Sequence, residues 1–260
     1  MSGSASPRPT RPRVIAHRGA SGTLPENTLP AYALAVEQRA DMIEIDLHRT
    51  RDGAVVIAHD EGLERLGGRG EIADATLSEV RDLDAGNGEH VPTLDEVIGR
   101  FGSQIPFNLE LKRGTRGDYS GLPAAALQAV EARDLLGETL FSSFYDSVLN
   151  EVRSESRAAR IALLISPRDP GRAFERARAV GAEALNPWVG LAQPELIEEA
   201  HAEGLAVYVF TVDSEEDMRR LLDLGVDGLF TNHPDRLRAI VGHPEGNFTQ
   251  SSKNSNKTRF

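Results

Sequence analysis

Two rhythms of apolar residues alternate along the chain. Short runs rich in Val, Ile, Leu and Phe read as buried strands, and longer stretches with apolar residues three or four apart read as amphipathic helices. The predicted strands cover residues 13–17, 42–47, 107–112, 139–144, 160–165, 182–186, 206–211 and 228–231. A further extended run, 54–59, follows the second strand through the turn Arg51-Asp52-Gly53. Within 27–39, Leu29, Ala33 and Val36 fall on one helical face, and within 214–224 Met218, Leu221 and Leu222 do the same. Ser214 followed by Asp217 resembles an N-terminal capping box with Asp in the usual Glu or Gln place. Gly181, Gly204 and Gly225 stand where helix C-terminal stops belong.

Eight strand–helix repeats match a (β/α)8 TIM barrel in number and size, as a single domain over 13–242. A doubly wound sheet is the alternative, but no Gly-x-Gly-x-x-Gly follows a strand and no P-loop is present. Residues 1–12, rich in Ser, Pro and Arg, and the polar segment 243–260 are expected to be disordered. The tail holds the sequons Asn247-Phe248-Thr249 and Asn256-Lys257-Thr258, read as chance occurrences in a polar segment.

Composition narrows the classes. The chain has no cysteine, which excludes disulfides, thiolate metal sites and a cysteine nucleophile, and fits a cytoplasmic location. No apolar run is long enough to cross a bilayer, and Met1–Pro7 carries no apolar signal segment. The net charge of −11 argues against general nucleic-acid or anionic-membrane binding. An anionic substrate would therefore need a local positive focus.

The candidate chemistry lies at predicted strand ends: His17-Arg18-Gly19, Glu44-Ile45-Asp46, His59-Asp60 and Glu110-Leu111-Lys112. In barrels of this class the active site forms at the C-terminal ends of the strands. Side chains alternate along a strand, so with Ile43, Ile45 and Leu47 facing the helices, Met42, Glu44 and Asp46 face the axis. The same rule sends Ile15, His17, Asn108, Glu110 and Lys112 inward. Three buried carboxylates need neutralising. Either they are structural ion pairs with Arg18 and Lys112, or they hold a hard divalent cation, Mg2+ or Ca2+ rather than Zn2+. His17 and His59 are candidates for proton transfer, and Arg18 and Lys112 for phosphoryl-oxygen contacts. Of the other histidines, His48 is expected to face outward or into a loop. His90 falls in a Gly-rich loop, His201 on a helix and His243 in the tail, and His233 follows the last strand; all of these read as structural, His233 being the one whose place after that strand could bring it to the site.

These residues resemble the glycerophosphodiester phosphodiesterase family. Val14-Ile15-Ala16-His17-Arg18-Gly19 with Leu24-Pro25-Glu26-Asn27-Thr28 resembles the family's opening motif. Glu44-Ile45-Asp46-Leu47, His59-Asp60, Pro92-Thr93-Leu94 and Asn108-Leu109-Glu110-Leu111-Lys112 follow in the family's order. Ser142-Ser143-Phe144, Thr211-Val212 and Gly225-Val226-Asp227-Gly228-Leu229-Phe230-Thr231 continue it. The resemblance implies a TIM barrel that hydrolyses small-molecule glycerophosphodiesters to glycerol 3-phosphate and an alcohol. It implies one divalent cation on Glu44, Asp46 and Glu110, His17 and His59 as the acid–base pair, and Arg18 and Lys112 on the phosphate. Asn27 would touch the metal site or the substrate. Phe210 stands where the family usually has Trp, and Asn232 where an acid is common. The connection from Asp60 to Thr93 is short, with no room for a sizeable inserted subdomain.

Two alternatives have distinct signatures. A lysophospholipase D-like enzyme would need an apolar lip, and aromatics are only 5% of the chain. A non-catalytic phosphate-binding barrel would typically have lost a histidine or a carboxylate, and all five are present.

Overall fold

The computed structural model describes residues 11–242. Its strands are β1 (Arg13–His17), β2 (Met42–Arg49), β3 (Val55–Ile57), β4 (Phe107–Leu111), β5 (Arg113–Gly114), β6 (Gly117–Asp118), β7 (Leu140–Ser143), β8 (Arg160–Ile165), β9 (Ala184–Pro187), β10 (Ala206–Val209) and β11 (Gly228–Thr231). Eight of them run parallel in the order β1-β11-β10-β9-β8-β7-β4-β2, and β2 pairs back to β1, closing a (β/α)8 barrel. The predicted strands and the barrel strands coincide to within a few residues. Two differences matter for the site. The second strand runs on to Arg49 and takes in His48, and β3 stops at Ile57, leaving His59 in the loop beyond it.

Helices α1 (Leu29–Glu37), α2 (Leu77–Arg81), α3 (Leu94–Phe101), α4 (Leu122–Glu131), α5 (Asp146–Glu155), α6 (Ala173–Val180), α7 (Pro194–Ala202), α8 (Glu215–Asp223) and α9 (Pro234–Val241) surround the strands. Several motif residues are helix starts in physical terms. Thr28 caps α1. In Pro92-Thr93-Leu94 the Thr93 hydroxyl accepts from the Glu96 amide at 3.2 Å, while the Glu96 carboxylate accepts from the Thr93 amide at 2.8 Å. Ser214 caps α8 by accepting from the Asp217 amide, and its hydroxyl donates to the Asp217 carboxylate.

Two apolar layers follow from strand alternation. Ile43, Ile45, Leu47, Leu109 and Leu111 face outward into the strand–helix core. Ile15, Met42, Leu140, Ala162, Ala184, Ala206, Tyr208 and Phe230 fill the axis. Three in-register alanines on β8, β9 and β10 offset the bulk of Tyr208 and Phe230. Asp227 ties the far end by accepting from the Val207 amide and the His201 ring, both at 2.9 Å. Arg11 ion-pairs with Asp41 at 2.6 Å. Residues 1–10 and 243–260, including His243 and both sequons, lie outside the described residues.

The connection from Asp60 to Thr93, short as expected, folds into a small cap. It carries two 3-10 turns and α2, and it packs around its own cluster of Leu63, Ile72, Ala75, Val80 and Val91 with Val56 and Ala58.

The turn after β1 is a tight junction. Gly19 has φ of 82°, and a Cβ there would lie 2.7 Å from the Ala31 carbonyl carbon of α1. Both conformation and space exclude a side chain. Gly19→Ala is therefore expected to cost about 2 kcal/mol or more, read as a lowered urea midpoint with an unchanged denaturant slope.

Candidate active site

Strand register brings the polar groups together. His17 is level with Glu44 across β1 and β2, and Asp46 with Glu110 across β2 and β4. One carboxylate oxygen from each of Glu44, Asp46 and Glu110 lies within 4.8 Å of the other two. All three side chains are buried, as alternation required. Two cations share the space. The Lys112 ammonium lies 2.7 Å from Asp46 and also pairs with Glu110, and the Arg18 guanidinium lies 3.1 Å from Asp46 and 3.0 Å from Glu26.

Three carboxylates against two cations leave one negative charge over, and the carboxyls respond unequally. Burial raises Asp46, but Lys112 and Arg18 outweigh it and hold that carboxyl well below the usual range. Burial lowers Lys112, and Asp46 and Glu110 more than reverse it. Glu44 goes the other way: burial, then the charges of Asp46 and Glu110, push it well above its ordinary value. Its Oε2 accepts from the Arg18 amide at 2.9 Å, while its buried Oε1 has no hydrogen-bond partner. A hard divalent cation fits this donor set, because it supplies the missing positive charge and a partner for that oxygen. Glu44, Asp46 and Glu110 could thus bind a divalent metal.

The β1–α1 turn supplies the support. Arg18 and Asn27 are both held at φ of 58°, a left-handed conformation that non-glycine residues rarely adopt. It lets Arg18 offer its amide to Glu44 and its side chain to Asp46. Asn27 donates to Asp46 Oδ2 at 2.9 Å and accepts from the buried Tyr32 hydroxyl at 2.9 Å, so it braces a carboxylate.

The two histidines have different partners. His17 Nδ1 lies 2.8 Å from Asn232 Oδ1. The amide cannot be turned round, because Asn232 Nδ2 donates to the Asp213 carboxylate at 2.7 Å, and a carboxylate can only accept. Nδ1 of His17 must therefore be the donor, leaving Nε2 as the acceptor. Burial, then the nearby Arg18 charge, lowers His17 to about 4, so the ring is neutral near pH 7. His59 Nδ1 instead lies 2.6 Å from a carboxylate, Asp60. Arg65 of the cap holds Asp60 at 3.1 Å and Glu26 at 2.9 Å, joining His59 to Arg18 through a chain of ion pairs.

His48 corrects the expectation of an outward or loop position. It is 1% exposed and faces inward, the next step of the alternation through Met42, Glu44 and Asp46 once β2 extends to Arg49. Among the remaining histidines, His90 meets Arg81, and the His233 ring packs where a Gly22 side chain would stand. Phe210 lies past the end of β10 and meets the Phe144 ring edge-on at 5.7 Å. A cleft of about 800 Å3, in the range of small-molecule sites, is lined by His59, Glu110, Lys112, Arg113, Phe144 and Tyr145 among others.

This geometry coincides with the sequence family that the chain matches: the model of the glycerophosphoryl diester phosphodiesterase family covers residues 17–236. The chain belongs to that family. A glycerophosphodiester phosphodiesterase of Caldanaerobacter subterraneus subsp. tengcongensis is 35% identical over 242 residues, covering 88% of this chain and 97% of the relative. One from Bacillus subtilis is 34% identical, covering 89% and 87%. Such enzymes are phosphoric diester hydrolases. A phosphodiesterase from Oleispira antarctica, solved in complex with the product sn-glycerol-3-phosphate, superposes with a TM-score of 0.80 at 31% identity, over 88% of this chain and 96% of that one.

Family motifs pointed to the carboxylates and to His17 and His59, but not to Tyr32, Arg65 or Asp213. Those three reach the site from a helix, the cap and the α8 approach. Only Asn232 carried a signal, as a departure from the family's usual acid.

Glu44→Gln should stabilise the metal-free protein. A carboxyl whose pKa is raised on folding contributes stability below its unfolded value and loses it as pH rises above that value. In EDTA at pH 8, the variant should melt higher than wild type by about 2–4 °C, with a smaller gain at pH 5. Added Mg2+ or Ca2+ should raise the wild-type midpoint and leave the variant's almost unmoved.

Proposed function

We propose that the chain hydrolyses small glycerophosphodiesters to glycerol 3-phosphate and an alcohol, using a divalent cation, Mg2+ or Ca2+, held by Glu44, Asp46 and Glu110. The observation that carries this reading is the buried, under-neutralised carboxylate triad with two differently partnered histidines beside it. When bound, the cation would offset the diester's charge and polarise a phosphorus–oxygen bond. Arg18 and Lys112, anchored on the same carboxylates, would meet the phosphoryl oxygens and stabilise charge developing there.

The histidine partners support a division of labour. His17 presents a bare Nε2 on a neutral ring, suited to take the proton of the attacking oxygen. His59, whose Nδ1–H faces the Asp60 carboxylate, is suited to carry a proton and give it to the departing alcohol. One phosphorus–oxygen bond forms to the nucleophile and one breaks to the alcohol. Attack by water gives glycerol 3-phosphate in one such step. Attack by the substrate's own glycerol hydroxyl gives a cyclic phosphate, which water must then open: a second phosphorus–oxygen bond forms to water, the ring phosphorus–oxygen bond breaks and the proton returns to the ring oxygen. A small diester is favoured over a lysolipid because Tyr145 and Trp188, each 40% exposed, are the large exposed apolar side chains among the described residues, too little for a lipid-facing lip.

The direct test is release of glycerol 3-phosphate from glycerophosphocholine and glycerophosphoethanolamine, with EDTA and with each metal restored. Release abolished by EDTA and restored by one metal is the expected result; no release from folded protein under either metal would overturn the reading. His17→Ala and His59→Ala should each lose about 10²–10⁴-fold in turnover, and near-normal turnover in either would remove that residue from the mechanism.

A pH prediction follows from the His17 environment. The base must be deprotonated, so turnover should fall as pH drops towards about 4. Exchanging the pair behind it, Asn232→Asp with Asp213→Asn, places a carboxylate on Nδ1 and should move that acid limb upward by about one unit or more. An unmoved limb would show that His17 does not set it.

A further inference from the structure

His48 and Tyr119 have no part in the mechanism above, yet both are built into the wall behind His59. His48 Nε2 lies 3.2 Å from the His59 backbone carbonyl, and Nδ1 lies 2.8 Å from the Tyr119 hydroxyl. A carbonyl can only accept, so Nε2–H donates to His59. The Tyr119 hydroxyl, able to donate or accept, meets the ring at the opposite nitrogen, so His48 is held at both Nε2 and Nδ1. The two rings also meet edge to face at 5.5 Å, which fixes the plane of His48.

Tyr119 in turn follows directly on the β5–β6 hairpin, and the hairpin is fastened to the cap. The Thr115 hydroxyl donates to Glu71 at 2.5 Å, and Arg116 makes a two-pronged ion pair with Asp74 at 2.6 and 3.0 Å. A continuous path of contacts therefore runs from the exposed hairpin through Tyr119 and His48 to the backbone of His59. That residue stands two positions beyond β3, where the sheet no longer fixes it. Its side chain is held at one end by Asp60, and the hydrogen bond from His48 holds the backbone end.

We propose that His48 and Tyr119 are positioning residues for His59, and that the β5–β6 hairpin, clamped on the cap, sets the proton-transfer geometry of His59 through them. This rests on the reading of His59 as a proton-transfer residue. Proton transfer requires heavy atoms within hydrogen-bond reach, and small displacements from the productive geometry lose rate rather than affinity.

The experiment compares steady-state hydrolysis of glycerophosphocholine, with saturating metal, by wild type, His59→Ala, His48→Leu, His48→Gln, Tyr119→Phe, Arg116→Ala and the double variant Arg116→Ala/Tyr119→Phe. His48→Leu should lower kcat by about 10–100-fold, the range for residues that orient an active group, with KM within about twofold of wild type. His48→Gln keeps a donor and an acceptor on a side chain of similar reach and should restore most of that loss. Tyr119→Phe removes one hydroxyl and should lower kcat by a smaller factor without changing the unfolding midpoint. Arg116→Ala and Tyr119→Phe should be non-additive in kcat, since both act through one path.

Unchanged kcat in both His48→Leu and Tyr119→Phe would overturn the proposal. So would losses that follow thermal stability and are not restored by His48→Gln. Additive Arg116 and Tyr119 effects would remove the hairpin from it. If His48→Leu fails to fold, Tyr119→Phe and His48→Gln decide alone. A wild type without diesterase activity, or a fully active His59→Ala, would instead overturn the functional reading on which the proposal rests.

Discussion

The rest of the molecule is arranged around one electrostatic constraint: three carboxylates buried at the mouth of a barrel with two cations among them. Burying unpaired charge costs several kcal/mol per ion, so each group must be held where its neighbours compensate it. Asp46 is the hub. It faces Lys112, Arg18 and Asn27 at once, and those three residues come from β4's far end and from both sides of the β1–α1 turn. The left-handed Arg18 and Asn27, and the side-chain-free Gly19, follow from the need to present an amide and a guanidinium to β2 within a few residues. Local strain there is offset by the charge pairing that it permits. The shortfall of positive charge shows at Glu44 and Glu110, both pushed up by burial, and at the unpartnered second oxygen of Glu44, where a cation could bind.

A second asymmetry is written in neutral and charged partners. An amide, locked by Asp213, backs one histidine; a carboxylate, held by Arg65, backs the other. An amide oxygen orients a ring without stabilising a positive charge on it to the extent that a carboxylate does. Two histidines that look alike in sequence are thus given different partners by residues that differ in one group. The family's common acid at position 232 would blur the distinction, and Asn232 sharpens it.

Much of this was legible in the sequence, because period-two alternation and strand order are local properties. Ile43, Ile45 and Leu47 as an outward set fixed the inward direction of Glu44 and Asp46, and the same reasoning held for Glu110. The misplacement of His48 has a plain cause. The apolar run stops at Leu47 and predicts the strand's end there, whereas β3 pairs with residues 47–49 and carries the strand two residues further. Continued by one step, the alternation points His48 inward. Other contacts left no trace in the linear pattern. Asp213 and Asn232 act on a residue about two hundred positions earlier, Arg65 comes from a cap whose core is made by its own leucines, and Tyr119 reaches His48 from a two-residue hairpin. Long-range polar contacts of this kind depend on loop geometry, which neither apolar periodicity nor helix capping specifies.

The division between what could and could not be read corresponds to a division of labour in the fold. Carboxylates and His17 project from, or directly end, barrel strands whose outward faces are locked in a continuous apolar core. The wall around His59 is assembled from segments that have only small cores or surface ion pairs: the cap around Leu63 and Ile72, and the hairpin held by Arg116 and Asp74. Exposed ion pairs contribute little each, so this wall can be remodelled at small cost in stability while the charge cluster cannot. The cleft beyond the carboxylates is bounded on one side by Glu61, Glu64 and Glu71 of the cap and on the other by Arg113, Tyr145 and Arg168. The carboxylates and His17 are therefore anchored in the stiff part of the barrel, and His59 in the wall assembled beyond it. Much of the remaining cleft lining lies on the cap and on segments outside the barrel strands, the parts of the fold with the smallest cores.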